Sequence, residues 1–287
     1  MTKYYGAIEA GGTKFVCAIG DEQMNIVKRA KFATRRPAET MPEVIEFFKE
    51  YPLEKMAIGS FGPIDVNQNS ATYGYVTSTP KEGWANYNFL GELKKNFDID
   101  YVWTTDVNVA AYGELKLGAA KGKESVLYLT VGTGVGGGGV INGKLLQGYG
   151  HPEMGHIILR RHPEDYYEGN CPYHRDCLEG LAAGPAVEKR HHGQKAVTIP
   201  SDNPDWEIEA YYLAQACLDY TLVLSPEMIV FGGGVMHQEH LFEKMRASFS
   251  EQMKDYVKTP ALDEYIVHAQ LGDDAGLTGC LLLAMDK

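Results

Sequence analysis

Short runs of Ile, Val and Tyr that end in glycine set the rhythm of this chain. One precedes Gly11 and Gly12 in YGAIEAGGTKFVCAIG, a second precedes Gly132 in VGTGVGGGGVINGKLLQGYG, and a third precedes Gly232 in MIVFGGGVM. Apolar runs of this length read as buried strands. After the first two glycine groups the chain returns to strand-like residues, Phe15 to Ile19 and Val140 to Ile141 before the Asn142-Gly143 turn, so each is a strand–turn–strand hairpin. The third runs into helical spacing from His237 to Tyr256, with Leu241, Met245 and Phe249 four apart. Helical periodicity also covers Pro42–Tyr51, Asn88–Phe97, Val109–Leu117, Glu179–His191, Asp205–Leu224 and Ala275–Met285. Extended segments are expected at Met56–Ser60, Tyr101–Thr104 and Tyr265–His268, and Ile199–Pro204 reads as a surface loop. Strands alternating with helices predict an α/β protein, and the two hairpins predict two similar lobes. The boundaries that follow are 1–117 with 274–287 for a small lobe and 118–273 for a large one.

Composition narrows the function. The 287 residues carry 27 Lys plus Arg against 38 Asp plus Glu, a formal net charge of −11. No run of Lys or Arg is longer than two, which argues against nucleic acid as a partner. The longest apolar stretches fall far short of the ~18 residues of a membrane span, and MTKYYGAIEAGG lacks the apolar core of a signal peptide. Five cysteines are too few for a disulfide scaffold, so the expected compartment is the cytoplasm, where clustered cysteines hold metal more often than each other.

Two constellations carry chemistry. Gly132, Gly134 and Gly137 satisfy G-x-G-x-x-G, but a dinucleotide fingerprint must open a helix, and here the glycines lead into another strand. A glycine turn that brings backbone N–H groups close to phosphates fits better. Thr13 and Thr133 lie in the two turns, and Lys14 adds a charge to the first. Two such hairpins could hold a nucleoside triphosphate between facing lobes, an arrangement for phosphoryl transfer. The second constellation is Cys171-Pro-Tyr-His174-Arg-Asp-Cys177, with His156 fifteen residues upstream. Two thiolates and two imidazoles suit tetrahedral zinc, closed and therefore structural. Incidental Cys and His in a loop is the other reading of the bare spacing.

IEAGGTKFVCAIG, TDVNVAAYGE, VGTGVGGG, HPEMGH and FGGGVM, in this order, resemble the ROK sugar kinases, within the actin-like ATPase/hexokinase superfamily with its ribonuclease H-like fold. CPYHRDCLEG is similar to the zinc segment of the family's bacterial fructokinases. The resemblance implies that Asp106 is the catalytic base, although on residue type alone Asp there could equally cap a helix. It implies ATP contacts at Gly11, Gly12, Thr13, Lys14, Thr133 and Gly134, with Gly232, Gly233, Gly234 and Pro185 toward the adenine. It implies sugar contacts from Thr105, Asp106, Asn108, Glu153, His156 and Glu179, with His156 lying between sugar and metal. The zinc ligands would be His156, Cys171, His174 and Cys177, and Mg²⁺ would accompany ATP. Thr105 departs from the Asn that many glucose-using members carry, which favours fructose, phosphorylated at O6, over glucose, mannose or an N-acetylated hexosamine. The family also contains sugar-sensing repressors, but their N-terminal helix-turn-helix has no counterpart before the first expected strand at Tyr4. Members are often dimers, which leaves a homodimer open as a partner arrangement.

Overall fold

The alternation expected from the apolar runs is present in the computed structural model, which describes residues 2–286; Met1 and Lys287, the extremes of the expected small lobe, lie outside it. In chain order the elements are β1 (Tyr4–Ala10), β2 (Lys14–Asp21), β3 (Ile26–Ala33), α1 (Pro37–Phe48), β4 (Leu53–Ser60), β5 (Tyr75–Val76), β6 (Tyr87–Asn88), α2 (Phe89–Lys94), β7 (Asp100–Thr105) and α3 (Asp106–Leu117). There follow β8 (Val126–Val131), β9 (Val135–Ile141), β10 (Lys144–Leu145), α4 (Leu178–Ala182), α5 (Gly184–Arg190), α6 (Asp205–Leu224), β11 (Met228–Gly232), α7 (His240–Met253), α8 (Leu262–Tyr265), β12 (Ile266–His268) and α9 (Ala275–Met285).

Two compact units result. The first comprises Met1–Lys116, Leu145–Pro152 and Asp273–Lys287, and the second comprises Leu117–Lys144 and Glu153–Gly272. The segment Leu145–Pro152 is tied into the first unit by two bonds. Gln147 Nε2 donates to Val66 O (3.2 Å), and the Ile64 amide donates to His151 Nε2 (3.0 Å).

In the first unit the sheet order is β3-β2-β1-β4-β7. β1 pairs antiparallel with β2 and parallel with β4, and β4 pairs parallel with β7. In the second unit the order is β10-β9-β8-β11-β12, with β8 antiparallel to β9 and parallel to β11. Each sheet is thus a glycine hairpin followed by parallel strands, and parallel neighbours require helical crossovers. The glycines after Val131 close the β8–β9 hairpin and open no helix, as the sequence pattern implies.

Several segments differ from their sequence expectation for physical reasons. β3 reads Ile-Val-Lys-Arg-Ala-Lys-Phe-Ala and was not expected; it is an edge strand whose polar positions face solvent, so its apolar signal is only half the usual. The single helix expected over Glu179–His191 is two, α4 and α5. Ala183 between them is extended (φ −67°, ψ 158°), and Pro185 sits in the first turn of α5, where its missing N–H costs nothing. The helix expected from His237 begins at His240, after a 3₁₀ turn over Gly234–His237.

The core of the first unit packs Phe15, Phe48, Trp84, Phe89 and Trp103 between the sheet and its helices. α9 packs along β1 and β4, and Cys280 Sγ donates to Ile8 O at 3.3 Å. Cys17, Cys217 and Cys280 are free and buried, as small apolar residues would be. α3 approaches α9 closely through glycine: a Cβ on Gly279 would lie 1.7 Å from Val109 O, and one on Gly113 would lie 2.4 Å from Ala275 O. This contact fixes the depth of α3, and with it the position of the residue that heads it.

Candidate active site and metal centre

Asp106 is the first residue of α3, directly after the buried end of β7, and its Oδ1 accepts the Val107 amide at 2.9 Å. The capping bond of this helix comes from its neighbour: Thr105 Oγ1 accepts the Asn108 amide at 3.2 Å. Asn108 Nδ2 donates to Thr104 Oγ1 at 3.0 Å. Thr105 and Asn108 are only 4% and 1% exposed. Their bonds brace the β7–α3 junction that carries Asp106.

The first glycine turn joins β1 to β2. The Gly11 amide donates to Lys14 O (3.0 Å) and Thr34 Oγ1 donates to Gly11 O (2.7 Å), while Thr13 and Lys14 stand exposed. Glu9, just before the turn, was passed over in the sequence. Burial pushes its carboxyl up to about 7, with Asp273 and Asp274 adding to the effect and Lys14 and Arg29 opposing it, and its Oε2 is buried without a partner.

In the second unit the Gly132 amide donates to Gly134 O at 2.9 Å, leaving Thr133 exposed at the tip of the turn. The α4–α5 corner closes on this turn: the Gly184 amide donates to Gly132 O (2.7 Å), and the Val135 amide donates to Glu179 Oε2 (3.1 Å). Glu179, expected as a sugar ligand, thus also holds the glycine turn. Of the glycines expected near adenine, Gly232 is buried under Tyr128, whereas Gly234 is exposed at the start of the 3₁₀ turn. Pro185 lies at the start of α5, half-buried.

His156, Cys171, His174 and Cys177 come together, with one ligand atom from each lying within 4.8 Å of the others. Cys171 Sγ is 3.6 Å from His156 Nδ1 and 3.8 Å from His174 Nδ1, and Cys177 Sγ is 3.5 Å from His156 Nδ1. A tetrahedron with Zn–S of ~2.3 Å and Zn–N of ~2.05 Å has S···N edges of about 3.6 Å, so the donor set fits zinc in both type and spacing. Local backbone builds the cluster. The Cys171 and Arg175 main chains exchange two hydrogen bonds (3.2 and 3.0 Å), with Arg175 left-handed at φ 62°. α4 can abut this loop only because residue 180 is glycine: a Cβ there would lie 1.8 Å from Arg175 O. His156 ends a 3₁₀ turn that opens after Glu153, pinned by the Tyr220 hydroxyl donating to Met154 O (2.5 Å).

The ROK family model matches residues 5–287. The chain belongs to the ROK family. Its relatives include the fructokinase of Pediococcus pentosaceus, 50% identical over 97% of this chain and 96% of that protein. The fructokinase of Streptococcus mutans is 47% identical over 99% and 98% of the two chains. Among solved structures, the ROK hexokinase of Thermus thermophilus superposes with a TM-score of 0.81 at 25% identity, covering 99% of this chain and 98% of that one. A ROK glucokinase from Streptomyces griseus, solved with glucose and AMPPNP, shares the fold at a TM-score of 0.73 and 24% identity, covering 99% of both chains.

A buried ionic network, not foreseen from the sequence, supports α4, the short helix that follows the Cys/His loop of this ROK chain. Arg190 at the end of α5 donates to Leu181 O (2.7 Å) and to both oxygens of Asp165 (3.1 and 3.4 Å), and lies 3.6 Å from Glu209 Oε2. The Tyr212 hydroxyl donates to Asp165 Oδ2 at 2.7 Å. One guanidinium faces two carboxyls, and they divide the roles. Burial raises Asp165, but the Tyr212 hydroxyl, Arg190 and the Tyr167 amide outweigh it and hold the group below the usual carboxylate range. Burial pushes Glu209 up to about 8 against the pull of Arg190, with the Asp165 charge adding to the rise. Neither Glu209 oxygen has a hydrogen-bond partner. With a folded value above the ordinary ~4.3 of an unfolded chain, Glu209 contributes stability that is fully present below that value and lost as pH rises through about 8. Glu209→Gln should therefore flatten the fall in melting temperature between about pH 5 and pH 8, each kcal/mol of relief adding roughly 2–4 °C at the alkaline end. An unchanged slope would remove Glu209 as its source.

Proposed function

We propose that this protein transfers the γ-phosphoryl group of ATP to the 6-hydroxyl of D-fructose. The observation that supports this reading best is the placement of Asp106. It heads α3 at the end of β7, with its Oδ1 accepting the Val107 amide, while Thr105 supplies the capping bond to Asn108. The relatives named fructokinase at about half identity give the acceptor.

In this reading Asp106 accepts the proton of the 6-hydroxyl as that oxygen attacks the γ-phosphorus, and ADP departs as the bond to the β–γ bridging oxygen breaks. ATP enters as its Mg²⁺ complex, the cation offsetting charge between its phosphates. Backbone amides and hydroxyls of the turns at Gly11, Gly12, Thr13 and Thr133, Gly134 cradle phosphate oxygens, with Lys14 adding positive charge. Gly233, Gly234 and Pro185 border the adenine. Glu153 and Glu179 Oε1 accept sugar hydroxyls, charge-assisted bonds being the stronger kind. His156, Cys171, His174 and Cys177 hold a structural zinc, which orders the loop and so the flanking Glu179.

Purified protein assayed across a hexose panel should show kcat/KM for fructose roughly tenfold to a hundredfold above that for glucose. Thr105 offers no side-chain amide, so a glucose hydroxyl there is left unpaired at a cost of ~1–3 kcal/mol, whereas the furanose ring of fructose presents its hydroxyls differently. Equal values for the two sugars would replace fructokinase with a broad hexokinase. Asp106→Asn should bind both substrates yet lose about 10²–10⁴-fold in kcat; turnover near wild type would exclude Asp106 as the base. Elemental analysis should find one zinc per chain. Cys177→Ser should lose the metal and weaken sugar binding by equilibrium titration, and active protein free of zinc would refute the site.

A further inference from the structure

The first glycine turn has a companion that neither its motif nor the family match assigns. A Cβ built on Gly12 would lie 3.1 Å from Lys81 Cε and 3.5 Å from Lys81 Nζ. The ammonium of a residue far along the chain therefore rests on the backbone of the turn between β1 and β2.

Its placement is built. Lys81 belongs to Ser-Thr-Pro-Lys-Glu-Gly-Trp, residues 78–84, which ends on Trp84. Trp84 is 1% exposed, donates through Nε1 to Arg35 O at 2.7 Å, and packs its ring against Phe15, Phe61 and Phe89 at centroid distances of 5.4–5.6 Å. The Trp84 amide donates to Lys81 O (3.1 Å) and the Lys81 amide donates to Thr79 Oγ1 (3.3 Å), so the lysine backbone is fixed relative to that anchor. Phe15, the second residue of β2, lies just beyond the turn, so one aromatic contact holds both sides of the pairing together.

Its charge is uncommitted. Glu82, the adjacent residue, pairs with Arg36. Among the described residues no carboxylate lies within ion-pair distance of the Lys81 ammonium. A half-buried ammonium held beside exposed backbone amides without a counter-charge suits an anionic ligand, and lysine is a compact point charge for phosphate. Packing alone would be served as well by Met or Leu.

We propose that Lys81 is a catalytic residue that binds oxygens of the transferred phosphoryl group at the first glycine turn. It gives up no proton; it offsets charge on the phosphoryl oxygens while the bond to O6 forms and the bond to ADP breaks. The proposal rests on the reading of this protein as an ATP-dependent hexose kinase.

The test compares wild type, Lys81→Met and Lys81→Arg in steady-state kinetics with fructose and MgATP, and in equilibrium titration with MgATP and MgADP. Lys81→Met should lose roughly 10²-fold in kcat/KM for ATP, and Lys81→Arg should recover part of that loss by restoring the charge. Affinity for MgATP should fall more than affinity for MgADP, which lacks the terminal phosphoryl group. Melting temperatures should agree within about 2 °C; should the Met variant melt lower, Lys81→Gln takes its place. Activity within about twofold of wild type, or equal loss of affinity for the two nucleotides, would overturn the assignment. A wild-type protein inactive on every hexose would overturn the kinase reading, while the nucleotide titrations would still decide whether Lys81 meets a terminal phosphate.

Discussion

Parallel pairing of strands decides where chemistry can sit in this chain. β1, β4 and β7 are parallel neighbours in one unit, and β8, β11 and β12 in the other. Parallel strands deliver their carboxyl ends to the same edge of a sheet, and ligands of open α/β sheets bind beyond that edge. The candidate site residues follow this rule. The first glycine turn leaves β1, Asp106 leaves β7, the second glycine turn leaves β8, and Gly232–Gly234 end β11. The antiparallel hairpin at the start of each sheet adds what a helix-opening loop would not, a turn with backbone exposed at its tip and a second strand that returns the chain into the sheet.

The second unit adds a further layer of control. Glu179 lies two residues beyond Cys177 and accepts the Val135 amide, so the helix after the Cys/His loop holds the second glycine turn. On the other side of α4, Arg190 holds Leu181 O and faces Asp165 and Glu209. Burying two carboxyls around one guanidinium is costly unless one stays protonated, which is the role Glu209 takes. The Cys/His cluster and this network border the same short helix, α4. The zinc proposed for that cluster would stabilise a loop of low apolar content by roughly 10–16 kcal/mol in apparent terms.

Much of this was legible without coordinates, for reasons of sequence distance. The glycine hairpins, the C-x₂-H-x₂-C loop, the full extents of α6 and α9, and Asp106 at a strand–helix junction each depend on residues close together in the chain. β3 was missed because an edge strand shows only half its apolar signal, and the α4–α5 break because Pro185 was read within a continuous apolar period. Thr105 and Asn108 were given to the sugar on family grounds; that they also brace the β7–α3 junction depends on how strand and helix meet.

The sequence by itself determined the fold class, the hairpin turns, the donor set of the metal loop and the family, because local spacing and residue type suffice for these. Tertiary structure alone decided which groups meet across long chain separations. It placed Lys81 on Gly12, paired Arg190 with Asp165 and Glu209, set His151 against the Ile64 amide, and seated α9 on α3 through Gly279. No spacing rule encodes such contacts, since each depends on how separately folded elements pack and on which charges that packing leaves without water.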